Sequence, residues 1–309
     1  MWIPKILVGL LSASSQVTMT SKPSYPKHQL FKLNDGNTIP SPAFGCGSAL
    51  FGKEATDAVL LAIENGYLHI DNSRVYGNEK SVGVALSKTD VEREKLYITS
   101  KYDALDGASV EEEFNKTISE LGVEYLDLYL IHFPRAADNG GGIAKVWKSF
   151  EQLKRDGRAR SIGVSNYDHD QLKELLSLAE IKPAVNQIRY HAYNALANAP
   201  VLALSQKHGI ITEAYSSLTP ITKTPGGPAD KVGETIAIEL SKRYGQEVTV
   251  GQTILDWLRS TGVVAVTTSS KDYRLREQLA VFQDDFPLLT AEEAKSYELA
   301  GPGWAPKTK

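Results

Sequence analysis

The sequence predicts an α/β fold, a (β/α)8 TIM barrel with an N-terminal β-hairpin and extra helices between strands 7 and 8. Eight short apolar runs alternate with helix-like segments, most of which are closed by a glycine. The 309 residues, 42% of them hydrophobic, are enough to bury one large core, and no compositional break divides them. We therefore assign residues 26–309 to a single barrel domain.

The hairpin is predicted over residues 31–39. Two short alternating runs flank Asp35 and Gly36, and an Asp-Gly pair supplies the positive φ that a tight turn requires. We expect this hairpin to cover one end of the barrel.

The eight strands and their helices follow in order. The predicted strands are 43–47, 67–71, 96–99, 126–131, 161–164, 184–186, 210–214 and 263–267. The helices that follow the first six strands are predicted at about 54–65, 78–87, 109–121, 146–153, 172–178 and 201–207. A loop rich in Pro and Gly (218–230) and two further helices (231–244 and 249–259) separate the last two strands, and this insertion is a candidate flap over a ligand.

A doubly wound open sheet is the competing fold. No G-x-G-x-x-G motif follows an early strand, so the usual backbone cradle for a dinucleotide pyrophosphate is missing. The barrel is therefore favoured.

Composition argues against several classes of partner. The net charge is −3 and no basic patch is interleaved with aromatic residues, so we expect no nucleic acid partner. No stretch approaches the roughly eighteen apolar residues of a membrane span. The single cysteine, Cys46, excludes an internal disulfide and fits a reducing compartment, so we expect a cytoplasmic protein. We also expect it to be a monomer. We predict that residues 1–25 form a disordered extension, with a weak secretory signal at 5–11 as the alternative.

Polar residues stand at the carboxyl ends of the predicted strands. Parallel barrels bring these positions around one mouth. The residues are Asp71, Lys101, His132, Asn166, Gln187, Tyr215 and Ser269. Each has a structural explanation by itself, but their joint placement indicates a reaction site.

Tyr76 follows Asp71 in the loop and is the candidate general acid. We expect the ammonium of Lys101 to lower the pKa of the phenol from its ordinary value near ~10, and Asp71 to hold Lys101 in place. His132 is expected to hydrogen-bond the oxygen of a carbonyl substrate. No metal-ligand spacing or nucleophile elbow competes with this arrangement, so the hydride is expected from a nicotinamide.

Five motifs together resemble the aldo-keto reductase superfamily, from about residue 30 to residue 282. They are GYLHIDNSRVYGNE, ITSKY, YLDLYLIHFP, RSIGVSNY and VTTSSKDYRLRE. The resemblance implies that NADPH (NADP+) binds across the carboxyl mouth without a Rossmann domain. It also implies a catalytic tetrad of Asp71, Tyr76, Lys101 and His132, in which Tyr76 donates the proton.

The resemblance also implies the cofactor contacts. Ser165, Asn166 and Gln187 match positions that bind the nicotinamide carboxamide, and Tyr215 matches the residue that stacks on the ring. Further cofactor-binding residues are Ser216 and Leu218 at the pyrophosphate, and Thr268, Ser269, Ser270, Arg274 and Gln278 toward the adenosine.

The eighth-strand motif departs from the common pattern. Thr267-Thr268-Ser269 stands where many members have Pro-Lys-Ser, so a lysine for the 2′-phosphate is missing. Arg274 matches the family's arginine at that phosphate, and Gln278 replaces the usual Asn near the adenine. This version resembles fungal ketoreductases that act on conjugated polyketones and α-keto amides.

The small-molecule carbonyl substrate is expected to lie in an apolar-walled pocket formed by Asn72, Tyr102, Phe133 and Trp304. Arg135 is a candidate for recognising a carboxylate or ester. Two other functions stay open at this point: an NADPH-sensing regulatory protein on the same scaffold, and a lyase that uses Lys101 as a Schiff-base amine.

Overall fold

The computed structural model describes residues 29–301 and Trp304, so the predicted extension 1–25 lies outside the described residues. Eight parallel strands form a closed barrel, in which each strand pairs with the next along the chain and the last pairs with the first. The strands are β3 (Ala43–Gly45), β4 (His69–Asp71), β5 (Tyr97–Tyr102), β6 (Leu126–Ile131), β7 (Ala159–Ser165), β8 (Val185–Arg189), β9 (Ile211–Tyr215) and β10 (Val264–Thr267). The predicted fold class is confirmed.

The N-terminal hairpin closes the end of the barrel away from the mouth. Strands β1 (Gln29–Lys32) and β2 (Thr38–Ser41) pair antiparallel, and Gly36 adopts a φ of 90° in the turn between them. Leu33 and Ile39 are buried among side chains of the barrel interior, and Asn34 Nδ2 donates to the Pro183 carbonyl ahead of β8. The predicted covering hairpin is therefore present, at the amino ends of the strands.

Helices surround the barrel. They are α1 (Thr56–Glu64), α2 (Glu79–Lys88), α3 (Val110–Leu121), α4 (Pro134–Asn139), α5 (Ile143–Arg155), α6 (His169–Leu178), α7 (Ala195–Lys207), α8 (Thr219–Thr222), α9 (Pro228–Tyr244), α10 (Val250–Ser260), α11 (Asp272–Ala280) and α12 (Ala291–Ala300). The predicted helices between strands 7 and 8 are α9 and α10. The predicted capping box is present: Ser109 Oγ accepts from Glu112 N, and the Glu112 carboxylate accepts from Ser109 N.

Several element bounds differ from the predicted ones. Helices α4, α8, α11 and α12 were not predicted, and β5 continues to Tyr102, so that Lys101 lies inside the strand. Helix α7 begins at Ala195 instead of residue 201. Pro200 lies inside this helix on its exposed face, where water can bind the carbonyl that the proline leaves without a backbone donor.

Most of the apolar core lies between the strands and the helices, where the rings of Tyr129, Trp147 and Phe150 stack. The barrel interior holds a smaller apolar cluster that includes Leu128, Leu130 and Val264, and it also holds charged and polar side chains, Lys101 and Glu213 among them, both fully buried. No helix within residues 29–301 is both long enough and apolar enough to cross a membrane.

Candidate active site

Lys101 connects the residues of the predicted tetrad at the carboxyl end of the barrel. Its Nζ donates to Asp71 Oδ1 at 2.7 Å, to the Asn72 carbonyl at 2.9 Å and to Tyr76 Oη at 3.2 Å. The Lys101 side chain is 0% exposed. Three acceptors satisfy the three N–H bonds of the ammonium, so the charge is held in a fixed place without water.

Tyr76 lies in the loop between β4 and α2. A short helical turn, Arg74–Tyr76, ends at Gly77 in the left-handed conformation and turns the phenol back over the mouth. The ring lies against Gly47 in the loop after β3. The Tyr76 and His132 rings meet edge to face with centroids 5.6 Å apart, so three strand ends contribute to one site.

The pKa of Tyr76 contradicts one expectation. Burial raises the pKa of the phenol above its ordinary value, and the favourable charge of Lys101 acts against burial without overcoming it. The predicted lowering was wrong because the sequence did not reveal that burial of the phenol outweighs the charge of Lys101. Tyr76 therefore stays protonated at neutral pH, as a proton donor must.

Burial acts to lower the pKa of Lys101, but attraction to Asp71 and Tyr76 outweighs it and the pKa is raised. The amine is thus a cation at neutral pH and has no lone pair with which to attack a carbonyl. This observation argues against the Schiff-base alternative.

Two residues that the sequence analysis did not name hold His132. Its Nδ1 lies 2.8 Å from Asp103 Oδ1 and 3.0 Å from Asp103 Oδ2, and Ser73 Oγ donates to the same carboxylate at 2.9 Å. Burial lowers the pKa of His132, while Asp103 acts to raise it. Asp103 lies two residues beyond Lys101, on the same face of an extended chain, and this spacing was the signal available in the sequence.

The predicted nicotinamide contacts form one hydrogen-bonded group. Ser165 Oγ donates to the Gln187 carbonyl, Asn166 Nδ2 donates to Ser165 Oγ and to the His132 carbonyl, and Tyr215 Oη donates to Asn166 Oδ1 at 2.7 Å. Asn166 adopts a φ of 61°, which asparagine tolerates better than most residues.

Gln187 is held at the centre of this group by two carboxylates. Its Nε2 donates to Asp71 Oδ1 at 2.8 Å and to Glu213 Oε2 at 2.9 Å. Both amide hydrogens are thereby used, so Oε1 is left to accept from a ligand N–H. Glu213 was not predicted, and it fixes the orientation of the amide.

The residues predicted to bind the adenosine end line a cavity of about 270 Å³. Leu218, Thr268, Ser269, Arg274 and Gln278 line this cavity together with Lys271. Arg274 is exposed and lies 3.3 Å from Glu277, whereas Gln278 is buried with its Oε1 accepting from Tyr67. Ser216, with a φ of 59°, precedes Leu218 in the loop after β9, and Ser270 is exposed in the loop after β10. Two cations and several hydroxyls are thus available to an anionic group.

The predicted substrate residues are not all brought together. Tyr102 is 0% exposed, donates from its hydroxyl to the Ala108 carbonyl and packs on Phe150 outside the barrel, so the structure places it away from the mouth. Asn72 is also buried and turns its amide to Glu79. Its contribution is the backbone carbonyl that binds Lys101.

Phe133 and Trp304 remain partly exposed. Phe133 stacks on His132 with ring centroids 4.4 Å apart. The guanidinium carbon of Arg135 lies 4.2 Å from the centroid of the Phe133 ring. Trp304 stacks on Tyr193 at 4.2 Å. Phe51, which was not predicted, is 56% exposed and lies 6.2 Å from the Tyr76 ring.

Comparison with known proteins identifies the family. The profile of the Aldo/keto reductase family matches residues 44–298. The chain belongs to this aldo/keto reductase family. A Schizosaccharomyces pombe NAD/NADP-dependent indole-3-acetaldehyde reductase is 38% identical over 85% of this chain and 92% of its own length. A Saccharomyces cerevisiae NADPH-dependent alpha-keto amide reductase is 35% identical over 86% of this chain and 88% of its own length.

A solved structure agrees with the family assignment. The crystal structure of a Bombyx mori aldo-keto reductase in complex with NADP has a TM-score of 0.76 and 32% identity, and the match covers 88% of this chain and 92% of that one. The resemblance found in the sequence is thus confirmed, including its likeness to fungal reductases.

Proposed function

We propose that this aldo/keto reductase reduces an aldehyde or ketone to an alcohol with NADPH, and that Tyr76 is the general acid. The observation that carries the proposal is the Lys101 ammonium, held between Asp71 and the Tyr76 hydroxyl in a buried site. When bound, the nicotinamide supplies the hydride.

The chain's own residues supply the proton. Tyr76 is protonated at neutral pH and donates to the carbonyl oxygen as negative charge develops there. Lys101 stabilises the phenolate that results, since its charge is already in place and needs no reorganisation. Asp71 keeps that ammonium charged and fixed.

The cofactor fits the residues present. Gln187 Oε1 is available to a carboxamide N–H, and Tyr215 is held by Asn166 next to it. Arg274, Lys271 and Ser269 line the same cavity and supply donors for a 2′-phosphate, which favours NADPH over NADH.

The substrate is proposed to lie between Tyr76, Phe133 and Phe51. Both phenylalanines are near the reacting phenol or the His132 ring and partly exposed, so they offer apolar walls to an aromatic or conjugated carbonyl compound. Trp304 and Tyr193 form another stacked pair further along the chain. We further propose that the enzyme is a monomer located in the cytoplasm.

NADPH oxidation in the presence of aromatic aldehydes, α-keto esters and diketones tests the function. Turnover with at least one class is expected. Tight NADPH binding without turnover on any carbonyl would support a sensor protein instead, and no NADPH binding would contradict the cofactor assignment.

A further inference from the structure

The Asp103 carboxylate lies against Nδ1 of His132. Both carboxylate oxygens lie within 3.0 Å of His132 Nδ1, and the two side chains are 5% and 7% exposed. The loop that carries Asp103 is anchored to α3, because the Glu113 carboxylate accepts from the Asp103 and Leu105 amides. The contact between Asp103 and His132 is therefore held in place by the surrounding structure.

An ionised carboxylate can only accept hydrogen bonds, so Nδ1 of His132 must be the donor. In a neutral imidazole the other nitrogen, Nε2, then carries a lone pair. A carbonyl oxygen is also an acceptor, and two acceptors cannot hydrogen-bond each other. Only the doubly protonated ring, the imidazolium, presents an N–H to a carbonyl oxygen.

We propose that Asp103 is a positioning residue that makes carbonyl binding depend on protonation of His132, while neutral His132 accepts a hydrogen bond from the hydroxyl of the alcohol. The proposal rests on the proposed reductase function. It predicts opposite effects of pH on the two sides of the reaction: rising pH weakens binding of the carbonyl compound and strengthens binding of the alcohol.

The charges around His132 support this behaviour. The titratable groups that face it are Asp103, Asp71, Tyr76 and Lys101. Burial and Lys101 lower the pKa of His132, whereas Asp103 and Asp71 act to raise it, and the net lowering leaves the ring neutral at neutral pH. The pKa of Tyr76 is raised, so the phenol does not titrate in the same range.

Asp103→Asn is the decisive variant. An amide can donate from its nitrogen to His132 Nδ1 and still accept from Ser73, so that a neutral ring carries its proton on Nε2 and binds a carbonyl oxygen at any pH. In the wild type, the KM of a nitrobenzaldehyde is expected to rise about tenfold per pH unit above the pKa of His132. In Asp103→Asn the KM is expected to change by less than about twofold over the same range.

Asp106→Asn is the matched control, since Asp106 is exposed in the same loop, and it should follow the wild type. An Asp103→Asn enzyme that carries the Nε2–H tautomer of His132 and whose KM still depends on pH as in the wild type would overturn the proposal.

The ¹⁵N NMR spectrum of the histidine rings gives a readout that needs no turnover. The chain has six histidines, and His132→Gln identifies the signals of His132. The expected tautomer is Nδ1–H in the wild type and Nε2–H in Asp103→Asn. An Nε2–H tautomer in the wild type would refute the proposal even if the enzyme is a reductase. Absence of turnover with every carbonyl, alongside an Nδ1–H tautomer, would instead refute the reductase function and with it the substrate role assigned to His132.

Discussion

The ring of Tyr76 lies so close to Gly47 that a Cβ atom at that glycine would be 2.9 Å from Tyr76 Cζ. Real Cβ atoms do not approach other heavy atoms so closely, so the loop after β3 needs a glycine for the phenol to reach Lys101. The backbone at Gly47 is not in the left-handed region, and alanine introduces no backbone strain there.

Gly47→Ala is therefore expected to displace Tyr76 and to lower kcat by roughly a hundredfold, with little change in thermal stability. The control is the same substitution in a Tyr76→Phe background. If Gly47→Ala acts through the phenol hydroxyl, it has almost no further effect on kcat there. Equal effects in both backgrounds would show that the glycine matters for another reason.

Asp71→Asn removes the carboxylate that neutralises Lys101. The pair is 0% and 4% exposed, so the variant buries an uncompensated cation, and the free energy of unfolding is expected to fall by about 3 kcal/mol or more. Urea unfolding measures this loss. Asp71→Asn combined with Lys101→Met removes both charges and should unfold at a higher urea concentration than Asp71→Asn alone. If the double variant loses as much free energy of unfolding as Asp71→Asn alone and Lys101→Met alone lose together, the pairing would be contradicted.

Arg274→Ala is expected to raise the Kd for NADPH about tenfold or more and to leave the Kd for NADH nearly unchanged, because only NADPH carries the 2′-phosphate. Fluorescence titration measures both constants. Arg276→Ala is the control, since Arg276 is also an exposed arginine of α11 with a carboxylate partner, Asp272, but does not line the cavity. The cofactor preference would be wrongly assigned if both variants lost NADPH affinity equally.

Glu213 makes folding stability depend on pH. Burial, followed by repulsion from Asp71, raises its pKa to about 8 from an ordinary 4.5. Between these two values the folded protein keeps a proton that the unfolded chain has lost, so this contribution to stability decreases as pH rises from about 5 to about 8.

Glu213→Gln removes the titrating group while keeping an oxygen that accepts from Gln187. Urea unfolding at about pH 5 and about pH 8 is expected to show a smaller loss of stability in the variant than in the wild type, by a few kcal/mol. Identical losses would show that Glu213 does not titrate in this range.

Much of the architecture was predictable because strand ends, glycine caps and the Asp-Gly turn are local signals. That Asp71, Tyr76, Lys101 and His132 lie together was predictable for the same reason, since each stands at or near the carboxyl end of a strand. Tyr102 was misplaced although the alternation of β5 contains the answer: with Lys101 inside the barrel, its neighbour must point outward.

Other features depend on how far a side chain is buried and on contacts between distant segments, which a local sequence pattern does not indicate. The direction of the Tyr76 pKa shift is set by how completely the phenol is desolvated. The contacts of Asp103 with His132 and of Gly47 with Tyr76 join segments that are 29 residues apart in each case. Only the closed barrel shows that these residues meet.

Proton donation by Tyr76 is the step on which the proposed reduction depends. Tyr76→Phe tests it most directly, with NADPH binding measured by fluorescence and carbonyl reduction measured by NADPH oxidation on the same preparation. We expect NADPH binding to persist while kcat falls by about three orders of magnitude or more, because the phenyl ring keeps the packing and loses the acid. A Tyr76→Phe enzyme that binds NADPH and retains a kcat close to that of the wild type would contradict it.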